Sequence, residues 1–474
     1  MSDELCYLGA MEAVSAFTAR TLSPVELLDA VYARADVVEP TLHAITARRR
    51  DQAYAAAREA ERRYADGTAR PLEGLPIAIK EEQPILGESW QLGSLLLEDQ
   101  VAPLTHPVVE RVLAAGGVAH VRTATPEFSC AGFTHSRLWG ISRNPWNTEI
   151  SCGGSSGGSG ASLASGTSLL ATGSDIGGSI RIPASVNGVV GFKPPQGRVP
   201  TLPPFHLDLY NHEGPMGRTV ADVVLLQNVI AGAHPLDHSS MPNPPVLPSV
   251  PEGIAGMRIA LAVHIGDVPV DDDVEINTRA FADALRAAGA MVVEVPVELP
   301  RSVWMTAAMV HFGAIFGASV TAAAGDRPDL LTDYAADFAE RSGAAFAAHG
   351  TYAGLEMEST VQAVIASAMD GYDALVCPTV GSIGWLAGVS YVDEHLTVAG
   401  EVLENYFEAA FTPLFNIASR HPVLNVPSGL ASNGVPTGVQ IVGRTYDDAT
   451  PFRIGAAAEH ELGWWRDPSW RPAT

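Results

Sequence analysis

Residues 153–179 read GGSSGGSGASLASGTSLLATGSDIGGS, and no other stretch restricts the possible folds of the chain as strongly. Gly/Ser-rich segments behave as flexible tethers when nothing apolar interrupts them. Here Leu163, Leu169, Leu170, Ala171 and Ile176 recur inside the run, and Ile180-Arg181-Ile182-Pro183 follows it at once. A tether uses none of these residues. The run is therefore read as buried structure, in which small side chains let backbone approach backbone.

The same letters suggest chemistry. The consecutive glycines of Asp175-Ile176-Gly177-Gly178-Ser179 let several N–H groups converge on one point, as an oxyanion hole requires. Two glycines precede Ser155 and two follow Ser156, which permits strained backbone around a hydroxyl. A Walker phosphate loop is excluded because no Lys occurs within the run. A dinucleotide GxGxxG is excluded because Gly158-Ser159-Gly160 continues as Ala161-Ser162-Leu163. Gly153-Gly154-Ser155-Ser156-Gly157 does satisfy the GxSxG nucleophile elbow. An α/β-hydrolase-type esterase using Ser155 thus stands as an alternative.

Two segments, GGSSGGSGA and GSDIGGSIRIPA, place Ser155 24 positions before Ser179, and together they resemble the amidase signature family. Gly74-Leu75-Pro76-Ile77-Ala78-Ile79-Lys80 is similar to that family's lysine strand. Arg143-Asn144-Pro145-Trp146, residues 188–194 and residues 434–440 match in the family's order. The resemblance spans most of the chain and includes bacterial amidases, aryl acylamidases and urethanases. It implies an α/β fold with a large mixed central sheet covered by helices on both faces. The expected division is an N-terminal helical segment over residues 1–70 and a signature domain over residues 71–465. That domain would have a core at 71–235 and 375–465 and a variable substrate funnel at about 240–372.

The remaining chain is consistent with an enzyme of this size. Its 474 residues carry 29 basic and 53 acidic side chains, net −24, so nucleic acid and anionic membranes are improbable partners. Four scattered cysteines and an acidic N-terminus without a signal-peptide pattern suggest a reduced, cytoplasmic setting. Residues 302–325 are uncharged and long enough to span a bilayer, yet His311, the hydroxyls and three glycines favour a buried helix pair.

Residues 10–70 read as helices, with Ser23-Pro24-Val25-Glu26 a capping box. Residues 75–79 suit a buried strand that ends on Lys80, residues 107–122 a helix and strand, and residues 258–295 a strand–helix–strand unit. This alternation predicts a largely parallel sheet. No metal site is expected, since His and carboxylates never gather at ligand spacing.

A serine hydroxyl needs a base. Residues 153–179 contain no His, although His206 and His212 lie downstream. The resemblance implies a Ser-Ser-Lys triad instead. Ser179 attacks, Ser155 at a cis peptide relays the proton, and Lys80 is the base. Lysine ordinarily titrates near about 10.4, so a neutral Lys80 calls for burial without a carboxylate in contact; Glu81 and Glu82 are expected to point away. The N–H groups of Ile176, Gly177, Gly178 and Ser179 would hold the oxyanion. Ser156, Asp175 and Arg181 would orient the loop, and Cys152 would be a packed residue.

For substrate contacts, Ser129, Cys130, Gly132, Phe133, Trp304, Met305, Met309, Phe312 and Phe316 are the candidates. The expected reaction is hydrolysis of hydrophobic or aryl amides, with carbamates and esters as relatives, no cofactor, and a possible homodimer. A glutaminase or amidotransferase subunit acting with a partner is the second reading.

Overall fold

The computed structural model describes residues 2–465 and 467–473. The Ser23 hydroxyl accepts from the backbone of Val25 and Glu26 while Glu26 accepts from Ser23 N–H at 2.9 Å, so the capping box starts the helix Pro24–Leu42. A second helix, Arg50–Asp66, buries Ala53, Ala57 and Ala60 along one stripe. Between them the all-helical expectation fails. Ile45–Arg48 is β1, an edge strand that pairs antiparallel with β3 (Val118–Thr123). Its β-branched Ile45 and Thr46 suit a pleated surface.

The eleven-stranded sheet continues through β2 (Pro76–Lys80), β4 (Leu170–Asp175), β5 (Val190–Lys193), β6 (His212–Gly217), β7 (Arg258–Leu261) and β8 (Met291–Glu294). β9 (Ala374–Pro378), β10 (Val423–Leu430) and β11 (Pro436–Gly443) complete it. The spatial order is β1-β3-β2-β4-β6-β5-β10-β11-β9-β7-β8. Parallel pairing is confined to β3-β2-β4 and β9-β7-β8. Every other neighbouring pair is antiparallel. The largely parallel expectation is thus corrected to a mixed sheet. The strand–helix alternation marked its two parallel parts, whereas the hairpin joining β10 to β11 and the inserted β6 carry no such mark.

Both faces are covered. Along β9, Ala374 and Val376 pack into one apolar cluster and Leu375 and Cys377 into another, the alternation of a strand buried on both sides. Residues 302–325 fall in the helices Arg301–Ala314 and Phe316–Ala324, bent by 41° at their junction. Among the described residues no single helix is long and apolar enough to cross a membrane. These two helices pack against the long helix Asp333–Ala368, which is interrupted at Gly350. His311 sits between Asp208 at 2.7 Å and Glu358 at 3.2 Å. Burial alone would lower it, but the two carboxylates raise it to about 9. A charged imidazole therefore ties these helices to the loop before β6.

Candidate active site

Three chain turns meet at the carboxyl ends of the parallel neighbours β2 and β4, the usual ligand crevice of such sheets. β2 delivers Lys80 at its last position, and β4 ends on Asp175 before the loop to Ser179 and the short helix Arg181–Asn187. Ser155 lies just before the helix Gly157–Ala164. A Cβ on Gly158 would strike the backbone of Ala124 and Ala44, so only glycine lets this helix sit against the end of β3. No strand leads into Ser155, which follows an irregular turn. The strand–turn–helix of a nucleophile elbow is therefore not formed there.

Lys80 is wholly buried. Its Nζ donates to Ser155 Oγ and to Ser174 Oγ, both at 2.7 Å. The Gly154–Ser155 peptide is cis. The Ser156 N–H donates to the Ser179 carbonyl at 3.0 Å, which places the two serine loops side by side. Among the described residues the Ser179 hydroxyl has no hydrogen-bond partner, and it faces a cavity.

Glu82 departs from expectation. Its Oε2 lies 2.6 Å from Lys80 Nζ and accepts from Ser174 at 2.6 Å and Ser129 at 3.1 Å. The physical reason is the turn after β2: Gln83 N–H donates to the Lys80 carbonyl at 3.0 Å, and the chain folds Glu82 back over the lysine. A buried amine also demands hydrogen-bond partners. Burial opposes ionisation of Glu82, yet Lys80 and the hydrogen bonds from Lys80, Ser174 and Ser129 outweigh it and hold the carboxyl below its usual range. Glu81 does point away, accepting from the N–H groups of Gln91 and Leu92, and burial pushes it up to about 7.

The Asp175–Arg181 pair is the rigid floor of the loop, with both side chains fully buried. Arg181 forks onto Asp175 at 2.7 and 2.9 Å and also reaches Thr412 O, Gln440 and Asn416, so it is no surface charge. Burial raises Asp175, and Arg181 and Asn416 overcome that and hold it far below the carboxylate range. Asp175 also takes the Gly178 N–H at 2.9 Å. This removes Gly178 from the four expected oxyanion donors. Among the described residues, no acceptor occupies the N–H groups of Ile176, Gly177 and Ser179. Ser156 braces the loop against β4 through Ser174, at 3.3 Å in each direction. His212 has both ring nitrogens on backbone carbonyls and is lowered by burial to about 3. Cys152 is buried, with its thiol pushed up to about 12.

A cavity of about 70 Å³ opens on Ser179 and is lined by Ser129, Cys130, Gly132, Phe312 and Phe316 among the expected contacts. Three expected contacts are corrected. Phe133 turns away into a stack of rings with His135 and Tyr334. Trp304 is fully buried in the core, two helical turns or about 12 Å from Phe312 along its helix, and Met305 packs against the same core. Met309, also expected, lines the cavity together with Phe338, Tyr406, Phe407, Asp337 and Arg341, which were not singled out. Ser174 was missed as well. The period-2 alternation of β4, which puts Thr172 and Ser174 on one face toward Lys80, was its only signal.

Comparisons with known proteins agree with the fold. The amidase family model matches residues 26–451. A subunit of a glutamyl-tRNA(Gln) amidotransferase from Anaeromyxobacter sp. is 34% identical, covering 97% of each chain. An indoleacetamide hydrolase from Bradyrhizobium diazoefficiens is 38% identical over 63% of this chain and 58% of its own length. Among solved structures, a bacterial aryl acylamidase of the amidase signature enzymes superposes with a TM-score of 0.89 at 26% identity, covering 98% of both chains. The family match over residues 26–451, together with a 34% identical relative covered over 97% of its length, shows that the chain belongs to the amidase family, and it is an amidase signature hydrolase.

Proposed function

We propose that the chain hydrolyses the C–N bond of hydrophobic or aryl amides, and by the same acyl chemistry carbamates and esters, through an acyl-enzyme on Ser179. One observation carries this reading: Lys80 Nζ lies 2.7 Å from Ser155 Oγ beside a Ser179 that faces a cavity walled by aromatic rings. Ser179 Oγ bonds to the carbonyl carbon, its proton passes to Ser155, and the Ser155 proton passes to Lys80. The oxyanion faces the free N–H groups of Ile176, Gly177 and Ser179. The C–N bond then breaks as Lys80 returns the proton through Ser155 to the leaving nitrogen, and water cleaves the acyl ester. Catalytic hydrogen bonds commonly tighten only when substrate is bound, which allows Ser155 to close on Ser179 at that stage.

Glu82 acts directly on this relay. Its carboxylate, which burial would raise but Lys80, Ser174 and Ser129 hold below the usual range, lies 2.6 Å from Lys80 Nζ and stabilises the ammonium that forms as the relay fires. Glu82→Gln is expected to lower kcat by about tenfold or more, read from steady-state kinetics on one aryl amide. An unchanged kcat would reduce Glu82 to a space-filling role.

A second reading has a specific observation behind it, the 34% identity to an amidotransferase subunit. The two separate on a panel of aryl amides, aryl carbamates and glutamine assayed with the purified chain alone. Release of aryl amine without a partner, and no ammonia from glutamine, is the expected result. Glutaminase activity that rises with a second subunit would replace it.

A further inference from the structure

Behind the catalytic lysine lies a second and larger space. A chamber of about 300 Å³ is lined by Ser155, Glu82 and Ser174 at one end and by Trp90, Leu97 and Phe205 along its apolar wall. Such a volume is at the lower end of small-molecule sites. It shares Ser129, Ile176 and Phe316 with the cavity in front of Ser179, so the two spaces adjoin at the serines. Ser179 opens to the front one and Ser155 to the rear one.

We infer that the rear chamber holds the amine half of the substrate, and that it makes amides and carbamates of ring-bearing, uncharged amines preferred over primary amides. The inference rests on the proposed relay, because the nitrogen that receives the proton from Ser155 must lie on the Ser155 side of the scissile bond. An acyl group on Ser179 then occupies the front cavity and the departing amine the chamber. Ammonia needs no such space. The far end is open, with Pro203, Pro204 and Ala323 exposed, which gives the amine its own way out while the acyl-enzyme persists.

The polar lining also selects. Glu82 and Glu213 face the chamber, and among the described residues its lining holds no Lys or Arg. Glu213 is fixed by Gln83 at 2.6 Å and Thr201 at 3.0 Å, and its other neighbour in the lining is His106 at 3.5 Å. An amine half bearing a carboxylate would meet two carboxyl groups and neither a lysine nor an arginine.

The test holds the acyl group constant as phenylacetyl and varies the amine: the N-benzylamide, the primary amide and the N-acyl glycine. Benzylamine and ammonia are similarly basic, so leaving-group chemistry is matched. The benzylamide is expected to exceed the primary amide in kcat/KM by about tenfold or more, with the glycine conjugate slowest. Ser319→Phe, placed on the chamber wall, should cut the benzylamide-to-primary-amide ratio about tenfold. Added benzylamine should also intercept the acyl-enzyme formed from an ester and yield benzylamide with saturation. A wild-type enzyme that takes the primary amide equally well or better overturns the inference while leaving the relay standing, as does a ratio unmoved by a folded Ser319→Phe. No hydrolysis of any phenylacetyl amide or ester by folded protein would remove the relay itself, and the chamber's role with it.

Discussion

Replacing Ser179 by alanine is expected to lower kcat for the proposed aryl amides by about 10⁴-fold or more, with the unfolding midpoint unchanged. The hydroxyl has no hydrogen-bond partner among the described residues and borders a cavity, so its loss leaves no buried group unsatisfied. Ser155→Ala should also be severe, because it cuts the side-chain link from Lys80 toward Ser179. The order of the two effects is diagnostic. A Ser179→Ala enzyme that still turns over, beside an inactive Ser155→Ala, would return the nucleophile role to Ser155. Steady-state kinetics on one aryl amide, with circular dichroism of each variant, decides it.

The second large effect is on folding. Asp175→Ala strands the Arg181 guanidinium, which is fully buried and now lacks its carboxylate. Breaking a buried pair on one side typically costs about 3–5 kcal/mol. Asp175 additionally holds the Gly178 and Ile180 N–H groups, so the oxyanion loop loosens together with the sheet end. Chemical denaturation should show the midpoint falling steeply. Gln440 and Asn416 do not replace the lost charge. A variant as stable as the parent would mean that the pair contributes nothing net, and the loop would need another explanation for its rigidity.

The parts of this site legible from the chain were those whose chemistry depends on residue type in a fixed local pattern. The glycines around Ser155 and Ser179 and the apolar run that ends on Lys80 are local, and they mark the serine loops and the lysine strand. The parallel halves of the sheet were legible through strand–helix alternation. What could not be read depends on geometry between distant residues. Glu82 looks like any surface carboxylate until the turn closed by Gln83 folds it over Lys80. Gly178 loses its N–H to Asp175 because that carboxylate is oriented by Arg181, whose other partners, Thr412, Asn416 and Gln440, lie more than 200 residues further along. Trp304 and Phe312 share one apolar helix, and composition does not say which end borders the cavity. The rear chamber, too, exists only because segments near Trp90, Phe128, Phe205 and Phe316 converge.

The central claim is that Ser179 is the attacking oxygen and that Lys80 draws its proton through Ser155. A fluorophosphonate reacts preferentially with an activated serine, so intact protein is labelled, digested and sequenced by tandem mass spectrometry. The account predicts one phosphonyl group on Ser179, and strongly slowed labelling in Ser155→Ala. A phosphonyl group on Ser155, or none on folded wild-type protein, contradicts it.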